Sequence, residues 1–258
     1  MQKIFISSFC VLFEDYDLLE QLCKSCPEVP MGAELGTSWP IPNFDELLDS
    51  QVPRFASGPV TLHAPFNELF PCAIDPRARV LAADRFREAI ALAKGYGAEK
   101  IVIHGGYNPQ MYYPCWYTEQ AALFWKNFLR EDPGVDIVLE NVLEEEPVYL
   151  LDIVRSADHP RLGLCLDIGH VNAYSAVPVI EWLKRFAPYL RHFHLHNNDG
   201  SFDAHAPLDE GSIPMKEFLQ RALALCPAAT FTLELQEDTA RGARWLLENG
   251  FITKETNA

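Results

Sequence analysis

The chain has 258 residues, of which 48% are hydrophobic and 22% are charged. This length suits one or two domains, and the apolar content excludes an intrinsically disordered chain. With 21 Lys and Arg against 36 Asp and Glu, the formal charge of −15 argues against binding nucleic acid through an overall basic surface. It does not exclude a local basic cleft.

The N-terminal segment is apolar over residues 1–13 and is then interrupted at once by Glu14, Asp15 and Asp17. No small-residue cleavage site follows, so the pattern favours a buried first strand over a signal peptide. No run reaches the roughly 18 apolar residues that a membrane span needs. Seven scattered cysteines, an odd number, indicate reduced thiols. We therefore expect a cytoplasmic protein without membrane contact.

Short apolar runs recur along the chain and predict strands covered on both faces. In chain order these strands are 3–7, 32–35, 60–63, 100–104, 136–140, 163–167, 192–196 and 230–235. Segments with helical periodicity lie between them. The clearest predicted helices are 79–95, 119–129, 177–187, 215–225 and 238–247.

Eight strands that alternate with helices, at about 30 residues a unit, predict an α/β protein with a parallel sheet. The number of units favours a single (β/α)8 TIM barrel, formed by one domain over residues 1–258. An open doubly wound sheet is the alternative. Such a sheet usually has a Gly-rich phosphate turn after its first strand, and residues 7–10 contain no glycine.

Most of the later strands end in a side chain that could bind a metal ion. These residues are Glu34, His63, His104, Glu140, Asp167, His192, His194, His196 and Glu234. In a barrel the carboxyl ends of the strands meet at one mouth, where such enzymes place their chemistry. So many imidazoles and carboxylates are costly to bury together unless they pair or bind cations. Oxygen and nitrogen donors favour Zn²⁺, Mn²⁺ or Mg²⁺.

Two local spacings add further candidate ligands. In Asp167-Ile168-Gly169-His170 we expect Gly169 to let the chain turn, so that a second donor follows the strand directly. Asp203 and His205 alternate in the loop after strand 7, and alternate residues of an extended segment face one way.

The histidines of strand 7 share one face, but they cannot all bind one ion. Successive residues on the same side of a strand are roughly 6.6 Å apart along it. Glu34 has three interpretations that the residues alone leave open: a residue behind a metal ligand, a substrate-binding residue, or a loop anchor.

Taken together, these motifs resemble the xylose-isomerase-like TIM-barrel superfamily over nearly the whole chain. That superfamily groups sugar and sugar-phosphate isomerases and epimerases with endonuclease IV. The motifs are Leu62-His63-Ala64-Pro65, Val102-Ile103-His104-Gly105-Gly106, Leu139-Glu140-Asn141, Leu166-Asp167-Ile168-Gly169-His170, Phe193-His194-Leu195-His196-Asn197, Asp203-Ala204-His205, Leu208-Asp209-Glu210-Gly211 and Leu233-Glu234.

The resemblance implies one to three divalent ions. In the epimerase branch one ion would be held by Glu140, Asp167, His194 and Glu234, with His196 as the alternative ligand from strand 7. In endonuclease IV three zinc ions use five more ligands. The matching residues here are His63, His104, His170, Asp203 and His205. The ligand set alone therefore does not decide between the two branches.

Two catalytic hypotheses follow. In the first, the protein is an isomerase or epimerase of a sugar or sugar phosphate. Glu140 and Glu234 would exchange the proton as acid and base, and the metal would stabilise an enediolate. In the second, it is an endonuclease IV-like multi-zinc phosphoester hydrolase, in the extreme case an abasic-site (AP) endonuclease. A binding domain that has lost catalysis is a third hypothesis, which the intact Glu140 and Glu234 pair disfavours.

The presumed rim loops favour a small polar substrate over DNA. They contain no Lys, and only Arg77 lies close by. They carry aromatic residues, among them Trp39 and Phe66, that could wall a sugar pocket, cover an oligomer surface or stack on bases. We expect Trp39, Phe66, Glu34 and His196 to bind substrate, and a homo-oligomer is also considered.

Overall fold

The structure is a computed structural model that describes residues 3–10, 16–27, 29, 31–37 and 58–252. Within these residues, parallel strands form a closed barrel in the order β1 to β8, and β8 pairs with β1. The strands are β1 (Ile4–Ser7), β2 (Met31–Gly36), β3 (Val60–His63), β4 (Lys100–His104), β5 (Asp136–Glu140), β6 (Leu162–Asp167), β7 (Leu190–Leu195) and β8 (Thr230–Leu233). The predicted (β/α)8 TIM barrel is confirmed, and closure excludes the open sheet.

The α-helices of the described residues alternate with these strands. They are α1 (Tyr16–Lys24), α2 (Pro76–Gly95), α3 (Pro114–Phe128), α4 (Val148–Ala157), α5 (Ile168–Tyr174), α6 (Val179–Phe186), α7 (Met215–Leu225) and α8 (Thr239–Glu248). The start of helix α2 is determined by its first residues. Asp75 accepts a hydrogen bond from the backbone N–H of Arg77, and Pro76 occupies the first turn, where its missing N–H costs nothing.

Alternation along the strands separates an outer core from the barrel interior. In β5, Ile137 and Leu139 belong to the large apolar cluster that the strands share with the helices. Val138 instead packs in a small separate cluster with Val102 and Cys165. Since side chains alternate between the two faces of a strand, Glu140 lies on the same inner face as Val138, one step nearer the mouth.

Helices α1, α4 and α5 are not among the five segments for which we predicted a helix. Helix α5 starts directly at the end of β6, where the Asp167 side chain caps it by accepting a hydrogen bond from the N–H of His170. The expectation that Gly169 lets the chain turn was wrong, because Gly169 lies inside this helix. A glycine is nevertheless needed there: a Cβ would lie 1.9 Å from Cε1 of His196.

Strands β7 and β8 end one and two residues earlier than predicted. β7 ends at Leu195, so His196 follows it, and β8 ends at Leu233, so Glu234 follows it. Both side chains therefore project from the carboxyl ends of neighbouring strands. None of the described helices combines the length and apolar character that crossing a membrane requires.

Candidate metal centre

A cavity of about 460 Å³ lies at the carboxyl ends of the strands, a size suited to a small ligand. Its walls combine aromatic, imidazole and carboxylate groups. The lining residues are Phe9, His63, Phe66, Asn67, His104, Glu140, His170, His205, Glu234, Leu235 and Gln236. The mouth of this barrel is therefore a polar pocket with aromatic walls.

Glu140 lies at the centre of the histidine cluster, and both of its oxygens face imidazole nitrogens. Oε2 is 3.1 Å from Nε2 of His63 and 3.6 Å from Nε2 of His104. Oε1 is 3.2 Å from Nδ1 of His194 and 3.4 Å from Nδ1 of His170. Burial raises the pKa of Glu140, but the charges of His194 and His104 outweigh it and hold this pKa well below its usual range. Glu140 is therefore a carboxylate.

Two further carboxylates reach the same nitrogen of His194. Its Nδ1 lies 3.7 Å from Oδ2 of Asp167 and 3.5 Å from Oε2 of Glu234. Asn141 fixes Asp167, because its side-chain amide donates to the Asp167 carbonyl at 2.9 Å and accepts from the Asp167 N–H at 3.0 Å. The residues that the resemblance implies for one ion thus converge on one point.

A second group forms around Asp203, in the loop after β7. Its Oδ2 is 3.2 Å from Nε2 of His170 and 2.9 Å from Nε2 of His205. Burial raises the pKa of Asp203, but hydrogen bonds from these two rings lower it far more. The predicted closeness of Asp203 and His205 is confirmed, although the segment is not extended, since His205 has a φ of 45°. A non-glycine residue in this region is uncommon and carries some backbone strain.

His196 is buried beside both groups and does not line the cavity. Its Nε2 lies 3.0 Å from Oδ2 of Asp167, and its ring stacks on His205 with centroids 3.9 Å apart. Gly169 makes room for this ring. His196 thus contacts two candidate ligands.

The donor groups fit divalent cations. Five sets of three donors have ligand atoms within 4.8 Å of one another, among them His63 with His104 and Glu140, and Glu140 with Asp167 and His194. Among the described residues, Asp203 Oδ1, Glu234 Oε1 and His196 Nδ1 are buried and lack a hydrogen-bond partner. Buried oxygens and ring nitrogens without partners are costly, and a bound cation would satisfy them.

The predicted substrate-binding residues are placed differently from one another. Phe66 lines the cavity and stacks on His104 with ring centroids 4.2 Å apart. Glu34 is fully buried and is not among the lining residues. Trp39 lies outside the described residues. Substrate binding by any of these residues stays a prediction.

Several residues of the site were not singled out from the sequence. Phe9, Asn67 and Gln236 line the cavity, and Asn141, recognised from the sequence only as part of a motif and without a role, positions Asp167. Asn141 could have been found, because an amide directly after a buried strand-end carboxylate needs partners of its own. The other three lie in loops, where the sequence indicates no direction for the side chain.

A comparison with protein families identifies the chain. The family model described as xylose isomerase-like TIM barrel matches residues 43–249, which is most of the sequence. The chain belongs to this family. The resemblance inferred from the motifs is therefore confirmed.

Relatives of this xylose isomerase-like barrel include the uncharacterized protein MJ1311 of Methanocaldococcus jannaschii, which is 33% identical over 177 residues, 63% of this chain and 59% of that protein. Fructoselysine 3-epimerase of Shigella flexneri is 27% identical over 184 residues, 66% of this chain and 63% of the enzyme. The chain therefore spans about three fifths of the length of the curated relatives it matches.

Solved structures share the fold over nearly the whole chain. A D-tagatose 3-epimerase-like protein superposes with a TM-score of 0.77 at 24% identity, covering 96% of each chain. The TTHB071 protein from Thermus thermophilus, from a crystal soaked with ZnCl2, gives a TM-score of 0.75 at 26% identity, again over 96% of each chain.

Proposed function

We propose that this xylose isomerase-like barrel is a divalent-metal-dependent epimerase or isomerase of a sugar or sugar phosphate. One observation carries the proposal: Glu140 and Glu234 both line the cavity, and each has an oxygen within 3.5 Å of Nδ1 of His194. Two carboxylates on one pocket suit proton removal and return at a single carbon. The names of the fructoselysine 3-epimerase and D-tagatose 3-epimerase-like relatives support it.

The chain's own residues would divide the reaction as follows. Glu140, Asp167, His194 and Glu234 would hold one ion, and the remaining histidines with Asp203 could hold up to two more. When bound, a divalent cation stabilises negative charge that develops on the carbonyl and hydroxyl oxygens of the sugar.

Proton transfer would then fall to the two glutamates. One carboxylate removes the proton from the carbon between the sugar oxygens, and the other returns a proton to that carbon. Transfer from the opposite face inverts the carbon, which is epimerisation. Phe66 and Phe9 form an apolar wall of the cavity, which lowers the water content around the reacting carbon.

A phosphoester hydrolase is the second candidate. It is favoured by the presence of separate triads around Glu140 and Asp203, namely His63 with His104 and Glu140, and His170 with Asp203 and His205. The cavity wall argues against DNA as the substrate. Within the described part of the chain its lining includes no Lys or Arg to contact phosphates.

Solvent deuterium exchange tests the proposal. We expect the protein, loaded with Zn²⁺, Mn²⁺ or Mg²⁺, to incorporate deuterium from D2O into a ketose or ketose phosphate, next to the carbonyl carbon. NMR and mass spectrometry would detect the exchange across a substrate panel. Absence of exchange over a broad panel, together with cleavage of abasic DNA, would favour the hydrolase. Metal binding with neither reaction would indicate a binding domain.

Metal binding is expected to release protons and to weaken as the pH falls. Burial lowers the pKa of His205, but the Asp203 carboxylate outweighs it and raises this pKa to about 9. Because the raised pKa keeps the ring protonated below pH 9, a cation must displace that proton at pH 7. Each pH unit lost then costs up to about tenfold in affinity per displaced proton.

Calorimetric zinc titration in two buffers with different ionisation enthalpies would count the released protons at pH 7. The His205→Asn variant should release fewer protons than the wild type. Equal heats in both buffers would contradict the prediction.

A further inference from the structure

The histidines of the metal centre are oriented in two different ways. His63, His170 and His205 each place Nδ1 within 2.9 Å of a backbone carbonyl oxygen, and in each ring the shortest carboxylate contact is made by Nε2. His194 is reversed. Its Nδ1 faces Glu140, Asp167 and Glu234, while its Nε2 lies 3.0 Å from Oε1 of Glu34. A side-chain carboxylate thus takes the place that a carbonyl has elsewhere.

The facing atoms, Oε1 of Glu34 and Nε2 of His194, lie in the protein interior. Both side chains are completely buried. Among the described residues, neither Oε1 of Glu34 nor Nε2 of His194 meets the full geometry of a hydrogen bond with any group, and the two atoms face each other at 3.0 Å. A buried polar atom without a partner is costly, so a proton on Nε2 of His194, shared with Oε1 of Glu34, best satisfies both atoms.

The other oxygen of Glu34, Oε2, is held by a chain of hydrogen bonds that starts at Lys100. Lys100, whose ammonium can only donate, bonds Oγ1 of Thr230 at 2.8 Å. With the Thr230 hydroxyl donating to Nδ1 of His192, the Nε2–H of His192 faces both Glu34 Oε2 at 3.0 Å and Thr232 Oγ1 at 2.8 Å. Thr232 donates to Glu34 Oε2 at 2.8 Å. This polar column of Lys100, Thr230, His192, Thr232 and Glu34 thus brings two donors, His192 and Thr232, to one oxygen of Glu34.

We propose that Glu34 is a positioning residue, which holds the proton of His194 on Nε2 and so leaves Nδ1 free for the cation. The inference deepens the proposed function and rests on its metal site. A carboxylate behind a metal-bound imidazole fixes the tautomer and the ring plane, and it makes the ring a better ligand. Of the three interpretations that the residues left open for Glu34, the geometry supports the one behind a ligand.

The Glu34→Gln variant tests the proposal through metal affinity, without any substrate. We expect one zinc ion to bind about 10- to 100-fold more weakly in a chelator competition assay. Glu144→Gln is the matched control. Glu144 is also buried, but it is held by the Tyr117 hydroxyl and the Val142 N–H and contacts no candidate ligand. Its zinc affinity should equal that of the wild type.

A second readout separates orientation from simple packing. In zinc-loaded protein labelled with ¹⁵N-histidine, we expect NMR to show His194 bound through Nδ1, with a protected proton on Nε2. In Glu34→Gln that proton should exchange faster with solvent. If Glu34→Gln fails to fold, Thr232→Val replaces it: loss of one donor to Glu34 should weaken the same zinc ion by a smaller factor.

The outcomes distinguish this inference from the proposed function. Unchanged zinc affinity in Glu34→Gln or Thr232→Val, or zinc bound to Nε2 of His194, would overturn the role of Glu34 alone. Tight zinc binding without deuterium exchange in the wild type would overturn the epimerase proposal and leave Glu34 in place. A wild-type protein that binds no zinc would overturn both.

Discussion

The Glu234→Gln variant is expected to exchange substrate protons with solvent about 10²- to 10⁴-fold more slowly than the wild type while remaining folded. The amide keeps the shape of the side chain but cannot accept the proton. Glu234 contacts His194 at 3.5 Å and His205 at 4.0 Å, so its loss should weaken metal binding only in part.

The Glu140→Gln variant should lose exchange for two reasons. Its carboxylate faces four histidines, and removing the charge deprives the centre of the ligand that all of them share. We therefore expect both metal content and exchange to fall, whereas Glu234→Gln loses mainly exchange.

Glu237→Gln, an exposed residue just beyond the site, makes the same change of charge and should behave as the wild type. Deuterium incorporation and metal analysis of the purified variants would check these results. Retained exchange in either active-site variant would refute its acid–base role.

In the Gly169→Ala variant, we expect that zinc no longer raises the thermal stability of the protein. A Cβ on Gly169 would lie 1.9 Å from Cε1 and 2.3 Å from Nδ1 of His196. The ring cannot shift without losing its contact with Asp167 or its stacking on His205, and both residues are candidate ligands. Overpacking of this kind costs about 1–3 kcal/mol of folding stability.

Thermal unfolding of Gly169→Ala with and without zinc would measure the effect, since a ligand that binds only the folded state raises its stability. Gly97→Ala is the control. Alanine at position 97 would strain the backbone, which has a φ of +70°, but a Cβ there meets nothing within 4 Å. That variant should lose about 1 kcal/mol and keep the full zinc response. If zinc stabilises Gly169→Ala as much as the wild type, the position of the His196 ring is not required for zinc binding.

The barrel could be predicted because its strands are short apolar runs that end in charged or polar residues. The bounds 60–63, 100–104 and 136–140 and the helix 215–225 agree with the structure. Helix α5 was missed because Asp167 ends a strand and caps a helix at once, and Gly169 in the first turn resembles a loop. Local patterns cannot distinguish a glycine that turns the chain from one that makes room for a distant ring.

The candidate ligands could be named from the strand ends and the family resemblance, but the orientation of their side chains could not. Alternation places His192, His194 and His196 on one face without telling which lies in the barrel and which at the mouth. That is decided by the stagger of the closed barrel, which sets His192 against Glu34 and His196 against Asp167. The same stagger puts Glu34 beneath His194 and away from the cavity wall.

The polar column also bears on how the chain folds. Glu34 meets His192 across 158 residues of sequence and Thr232 across 198 residues. Until both late strands are in place, a collapsing barrel would enclose this carboxylate without these partners, which is strongly unfavourable. Partly closed barrels that enclose Glu34 are therefore high in free energy. We expect β7 and β8 to dock in one cooperative folding step. This step should be slow, because its contacts join residues that are far apart in the sequence.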